Sequence, residues 1–261
     1  VIVGGAGSDT LTFSDNSDVA AANLALTSGF DVIALENAGD DTITVGLDDT
    51  VVGASDADTI TINGVAGDRV TVTAAVVEAN VVLLGDGGAA YTLAGDTRVT
   101  IGVDDADSDG DLADEVSTTV TLGTGNEIVT GSDGQDTVVL VTDADSTANI
   151  NLGAGDDSVT AAGEIVATAT FIGGSGSDTL NFADGVDVAA ANLALTSGFD
   201  VITLAEDTTD DNAVGLNDAV VDASDADTIT INNHANDATT VTAEVSAGNT
   251  VILGDGGRSE E

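Results

Sequence analysis

Gly173-Gly-Ser-Gly-Ser-Asp-Thr-Leu180 reads as a tight turn that runs straight into a β-strand, and it recurs 169 residues earlier as Gly4-Gly-Ala-Gly-Ser-Asp-Thr-Leu11. Glycine enters positive φ without steric penalty and turns its carbonyl inward, the aspartate closes the turn, and the residue two places later drops into a core. Looser versions are Gly131-Ser-Asp-Gly-Gln-Asp-Thr-Val138, Leu152-Gly-Ala-Gly-Asp-Asp-Ser-Val159 and Leu122-Gly-Thr-Gly-Asn-Glu-Ile-Val129, with Glu36-Asn-Ala-Gly-Asp-Asp-Thr-Ile43 weaker still.

The atoms such turns present are hard oxygens, the donors that Ca2+ gathers into a shell of about six to eight. One turn supplies about half of that shell, so a second turn stacked on it has to supply the rest. The acid spacing supports stacking: Glu127 to Asp136 is nine residues, while Asp136 to Asp157 and Asp157 to Asp178 are 21 each. Equal steps place successive turns above one another and make residues 122–182 the most regular segment. The candidate ligands are Gly5, Gly7 and Asp9; Gly125 and Glu127; Asp133, Gly134 and Asp136; Gly155 and Asp157; Gly174, Gly176 and Asp178. The competing reading is plain turn chemistry, with each Asp bonding local amides; recurrence in even register favours the ion. A separate acidic loop, Asp105-Ala-Asp-Ser-Asp-Gly-Asp-Leu-Ala-Asp-Glu115, places Asp105, Asp107 and Asp109 at positions 1, 3 and 5 of a calcium loop with Gly110 at 6, but Val116 stands at position 12. Calcium and a solvated acidic linker both remain open there. The pair Ser55-Asp-Ala-Asp-Thr-Ile60 and Ser224-Asp-Ala-Asp-Thr-Ile229 reads better as a strand-end turn without metal.

Between the turns, apolar and hydroxyl residues alternate with period two, as in Thr10-Leu-Thr-Phe13, Thr42-Ile-Thr-Val45, Thr59-Ile-Thr-Ile62, Val70-Thr-Val-Thr73 and Thr119-Val-Thr-Leu122. Short strands with frequent turn signals fit a solenoid or a sandwich. The stacked turns select an all-β parallel β-solenoid, of the β-roll or β-helix kind, built of short strands and Gly-Asp turns. The main exception is Val19-Ala-Ala-Ala-Asn-Leu-Ala-Leu-Thr27, repeated at 188–196. It reads either as a two-turn helix with Asp18 as N-cap and Gly29 just beyond its end, or as an apolar loop over the end of a sheet.

Residues 1–88 recur at 170–257 without a gap, about two thirds of the pairs identical, and residues 89–169 occur once. The chain therefore divides into a first copy (1–88), a connecting part with the acidic loop and the regular coils (89–169), a second copy (170–257) and a tail (258–261). One and a half copies of a 169-residue unit read as a stretch of a longer array whose units cap one another.

Apolar residues make up 42% of the chain, ample for a core, yet aromatics are 2% and Pro, Cys, Met, Trp and Lys are absent. That palette suits thin β-branched layers. Arg69, Arg98 and Arg258 face 47 acids, for a net charge of −44. Nucleic acid and anionic membrane surfaces are excluded as partners, since both require neutralising phosphates with basic side chains. No apolar run is long enough to insert in a membrane. Without cysteine there are neither disulfides nor thiol sites.

The two complete nonapeptides follow Gly-Gly-x-Gly-x-Asp-x-U-x, with U apolar. Together with the recurring Ser-Gly-Phe-Asp-Val-Ile at 28–33 and 197–202, they resemble the RTX-type calcium-binding repeats of bacterial surface-layer proteins and giant secreted adhesins. The resemblance implies a parallel β-roll or β-helix, calcium-dependent folding outside the cell, and type I export. Uninterrupted nonapeptide arrays are missing here, so fewer ions per residue are expected than in a toxin's repeat domain. The expected function is a calcium-binding structural segment of an extracellular surface layer, sheath or filament, partnered by copies of itself. The alternatives are the stalk of a giant calcium-dependent adhesin, the RTX tail of a secreted enzyme, and halophilic adaptation, which predicts acids scattered over the surface. His234 is the only histidine and its counterpart in the first copy is Val65, so the two copies share no His-based chemistry and no enzyme is expected.

Overall fold

The computed structural model describes residues 1–14, 18–36, 42–55, 58–64, 69–77, 79–85, 90–95, 97–101, 118–122, 126–140, 148–163, 168–183, 188–205, 212–222, 224, 227–232 and 239–254. Alternating sequence makes strands with one apolar and one hydroxyl face. The chain winds them into a parallel β-solenoid, as the sequence predicts. A first long sheet stacks Thr10–Ser14, Val32–Glu36, Thr59–Asn63, Val81–Leu84, Arg98–Ile101, Ile128–Thr130, Asn149–Ala154, Thr170–Ser175 and Thr196–Ser197. A second stacks Thr42–Asp48, Arg69–Ala75, Ala90–Leu93, Thr118–Leu122, Asp136–Leu140, Ser158–Ala161, Thr179–Phe182, Val201–Leu204, Thr228–Asn232 and Thr250–Leu253. Two short sheets flank them, Ile2–Val3 with Thr27–Ser28 and Asn212–Asn217 with Thr239–Glu244.

Register stacks like on like. Ile43, Val70, Tyr91, Val120, Val138, Val159, Leu180, Ile202 and Ile231 stand in one file through the second sheet, and all are buried. Beside it runs Val45, Val72, Leu93, Leu122, Leu140, Ala161, Phe182 and Leu204. Tyr91, the only tyrosine, fits because its hydroxyl accepts from Gly64 N at 3.2 Å and lies 2.8 Å from Gly85 O and 2.9 Å from Ile62 O.

The two copies repeat the same elements but not in the same sheet. Thr10–Ser14, Val32–Glu36, Thr59–Asn63 and Val81–Leu84 lie in the first sheet, whereas their counterparts Thr179–Phe182, Val201–Leu204, Thr228–Asn232 and Thr250–Leu253 lie in the second. From Thr10 the first sheet advances by strand starts at 32, 59, 81, 98, 128, 149 and 170, seven coils, and a further half coil reaches Thr179. Each unit therefore turns its own strand pattern onto the next face.

The Val19–Thr27 segment forms a single helical turn, Ala21–Leu24. Asp18 does not cap it: the N-cap is Ala20, with no side-chain bond, and the Asp18 carboxylate accepts from Thr44 N one coil on at 2.9 Å. Two further one-turn helices, Asp49–Val52 and Asp218–Val221, are capped by the side chains of Asp48 and Asn217. No helix among the described residues is long and apolar enough to cross a membrane.

Tyr91→Phe should keep the fold but leave the Gly64 amide without its acceptor inside the core, lowering stability by about 1–3 kcal/mol. Urea unfolding checks this as a lower midpoint with an unchanged slope.

Candidate metal-binding turns

Strands entering the second sheet are preceded by the 21-residue series of acids, and the register brings these acids into one column. Asp136 N donates to Asp157 Oδ1 at 2.7 Å, Asp157 N to Asp178 Oδ1 at 2.8 Å, and Asp178 N to Asp200 Oδ2 at 3.3 Å. Each carboxylate thus receives the amide of the equivalent acid one coil earlier. Asp136, Asp157 and Asp178 are each no more than 1% exposed. Ser132 adds its amide, at 2.7 Å, and its hydroxyl, at 3.0 Å, to Asp136 Oδ2. Asp157 Oδ2 is buried with no hydrogen-bond partner among the described residues.

Burial pushes the Asp136 carboxyl up to about 6, against the Ser132 bonds that favour its charge. Burial likewise pushes Asp157 up to about 7, opposed by the Asp136 amide and reinforced by the charges of Asp136, Asp178 and Asp156. A column of like charges out of water is costly unless something positive enters it.

Glycine carbonyls line the same turns. Gly153, Gly155, Gly174 and Gly176 all take positive φ. A Cβ on Gly174 would stand 1.9 Å from Gly153 O, and one on Gly176 1.9 Å from Gly155 O, so no other residue fits where successive turns touch.

Asp9 belongs to a different column. Its turn, with Gly5 and Gly7 at positive φ, enters the first sheet, where Asp9 N donates to Asp31 Oδ2 at 3.1 Å. Asp9 Oδ2 is also buried without a partner among the described residues. Glu127 is buried at the entry to Ile128–Thr130, likewise in the first sheet. The nine-residue step to Asp136 is therefore half a coil, and the two acids stand in different columns. Gly134 is buried, but Asp133 is exposed. Gly125 and the acidic loop with Asp105, Asp107 and Asp109 lie outside the described residues, as do His234 and Arg258. At Ser55 and Ser224 the turn is closed by hydroxyls: each donates to a carbonyl three residues back, at 2.8 Å, and accepts an amide four residues on, at 2.9 Å.

Sequence reading missed Asp31 and Asp200. Both sit in the repeated Ser-Gly-Phe-Asp-Val-Ile, and each lies 22 residues beyond a recognised motif acid, Asp9 or Asp178, a step that would have revealed them. Asp156 was missed too; its Oδ1 accepts from Ser177 N at 2.8 Å and its carbonyl from Gln135 Nε2 at 2.9 Å, tying adjacent turns together.

Among the described residues no three acids or histidines converge on one point. A cation here would take at most two carboxylates and complete its shell with backbone carbonyls and water. Carboxylate and carbonyl oxygens, with a buried carboxylate oxygen left over, suit a hard divalent ion. No known protein family, curated protein or solved structure matches the chain.

The ordinary value for these carboxyls is 3.8 and both folded values are raised, so the folded chain holds the protons more tightly. Their contribution to stability is full below about pH 4 and is lost as the pH rises through about 6 and 7. Without divalent ions, the urea midpoint should therefore fall between about pH 5 and about pH 8. A rising midpoint would show that the column is not protonated as described.

Proposed function

We propose that this chain is a calcium-stiffened structural segment of an extracellular surface layer, sheath or filament, working without catalytic turnover and in association with copies of itself. The observation that carries the reading is the unpartnered, buried Oδ2 of Asp157 inside a column of acids backed by glycine carbonyls. Consecutive pairs of the column, Asp136 with Asp157 or Asp157 with Asp178, together with glycine carbonyls of the same turns such as those of Gly155 and Gly176, are the groups that would hold an ion. Bound calcium would neutralise the column and cross-link consecutive coils. The resemblance of the turns to RTX-type repeats supports the same ion and an extracellular setting, where sites bind with dissociation constants of roughly 0.1–1 mM.

Each such site adds about 1.4 kcal/mol when free calcium is tenfold above its dissociation constant. Calorimetric titration should show calcium binding, and the urea midpoint should rise with it. Asp157→Asn keeps an oxygen for the Asp136 amide and removes the buried charge, so it should raise the midpoint of the metal-free chain and shrink the calcium-linked gain. Sodium chloride should restore stability only in part, because screening relieves repulsion without filling a divalent site. Equal rescue by both salts would replace this reading with salt adaptation.

Interior coils show what each coil of the repeat buries. Ile2 is 55% exposed and Leu253 65%, whereas their counterparts 169 residues away, Phe171 and Leu84, are 0% exposed beneath Ile150 and Ile101 of the adjacent coil. A further coil of the same repeat, in the same chain or in a second copy, would cover them. Light scattering and electron microscopy in calcium should show ordered polymers or sheets; persistent monomers at high concentration would leave an adhesin stalk as the better reading.

A further inference from the structure

Charge is distributed unevenly between the edges and the faces of the solenoid. Among the described strands of the two long sheets the only charged residues are Glu36, Asp48, Arg69, Arg98 and Asp136, and each is the first or last residue of its strand. The strand interiors are neutral in a chain of net charge −44.

The outward side of the second sheet is also regular in two directions. Thr71, Thr92, Thr121, Val139 and Thr160 stand in register on successive strands. Two residues back along the strands runs a second row, in which Arg69 and Ala90 are followed by the hydroxyl residues Thr119, Thr137, Ser158 and Thr179. Every member of both rows is at least partly exposed. Parallel pairing spaces the rows' members about 4.8 Å apart, and the pleat sets the two rows about 6.6 Å apart. Threonine and valine are stiff at χ1, so the hydroxyls and methyls of these rows are held in place rather than sampled. Asn181 further fixes Ser158, donating to its hydroxyl at 2.9 Å. The first sheet is less uniform: its outward positions include Val32, Val81, Leu83, Ile128 and Ile172.

From this we infer that the outward threonine face of the second sheet binds ice. A rigid, neutral array of hydroxyls and methyls with these two repeats resembles the spacing of water oxygens on faces of the ice lattice, so water held between the methyls can join the crystal without rearrangement. Charged side chains would hold their own hydration shells and spoil the fit; the two rows carry none from Thr119 to Thr179, and Arg69 stands at the far end of the second row. Charge also selects among partners. An anionic ligand is repelled by the chain, and two copies stacked face to face would set acidic edge against acidic edge, whereas a crystal of water carries no charge. The inference concerns the sheet face and does not depend on calcium at the turns.

The test uses the full 261-residue chain, folded as judged by circular dichroism. Nanolitre osmometry should show a gap between freezing and melting points, and the chain should be enriched in slowly grown ice. Thr121→Tyr and Thr160→Tyr, which break the array, should each lose both properties, while Thr100→Tyr on the first sheet keeps them. Should a tyrosine variant fail to fold, Thr121→Lys places a charge in the same outward position and should abolish ice enrichment. The inference is overturned if the folded wild-type chain shows no gap and no enrichment, if the threonine variants match wild type, or if sedimentation shows a wild-type dimer that the same tyrosine substitutions dissociate.

Discussion

Parallel pairing in strict register, coil upon coil, is the constraint on which the rest of this structure depends. Backbone hydrogen bonds between successive coils leave each residue little choice of neighbour: it meets its counterpart from the coil before. For apolar positions this is favourable, and the file from Ile43 to Ile231 runs unbroken through the core. For acids it is costly, because the same register lays Asp136, Asp157 and Asp178 over one another out of water. Amides aimed at Asp157 and Asp178 from the preceding coil offset part of that cost. The raised proton affinity of Asp136 and Asp157 expresses the remainder.

The half-coil offset between copies follows from the same register. A unit of seven and a half coils sends strands of nearly identical sequence into different sheets, where they meet different neighbours. Ile33 pairs in the first sheet with Leu11 and Ile62, and its counterpart Ile202 pairs in the second with Leu180 and Ile231. The exchange is tolerated because both sheets ask the same of a strand: β-branched or leucine side chains inward and small polar ones outward. Glycine turns allow it as well, since their close contacts are with backbone, which is the same whichever coil supplies it.

Segregation of charge reconciles two properties that conflict in the bare composition. The chain carries 47 acids and yet has a mean hydropathy of +0.24. The described acids lie at turns, in the one-turn helices and at strand ends, while the strand interiors of the two long sheets are neutral. Acids scattered evenly, as adaptation to salt alone would place them, would have charged the faces. Keeping the described acids out of the strand interiors leaves two largely neutral sheet faces available for uncharged contacts.

Fold class was legible in the sequence because both of its signals are local: period-two alternation between Thr and Val or Ile, and glycine where a turn needs positive φ. The 21-residue step was legible too, since equal spacing on equal coils amounts to vertical alignment, and Asp136, Asp157 and Asp178 do align. Steps that span half a coil were not. Glu127 lies nine residues from Asp136 yet in another column, and Asp9 lies in a different column from its own counterpart Asp178, because which edge a turn occupies depends on how many strands the chain has already laid down. Asp18 shows the same limit at a single residue: beside an alanine-rich run it has the sequence of a helix cap, but Thr44, 26 positions away, offers it an amide. Residue chemistry fixed what each turn and strand is able to do, and only the winding of the whole chain decided which of them meet.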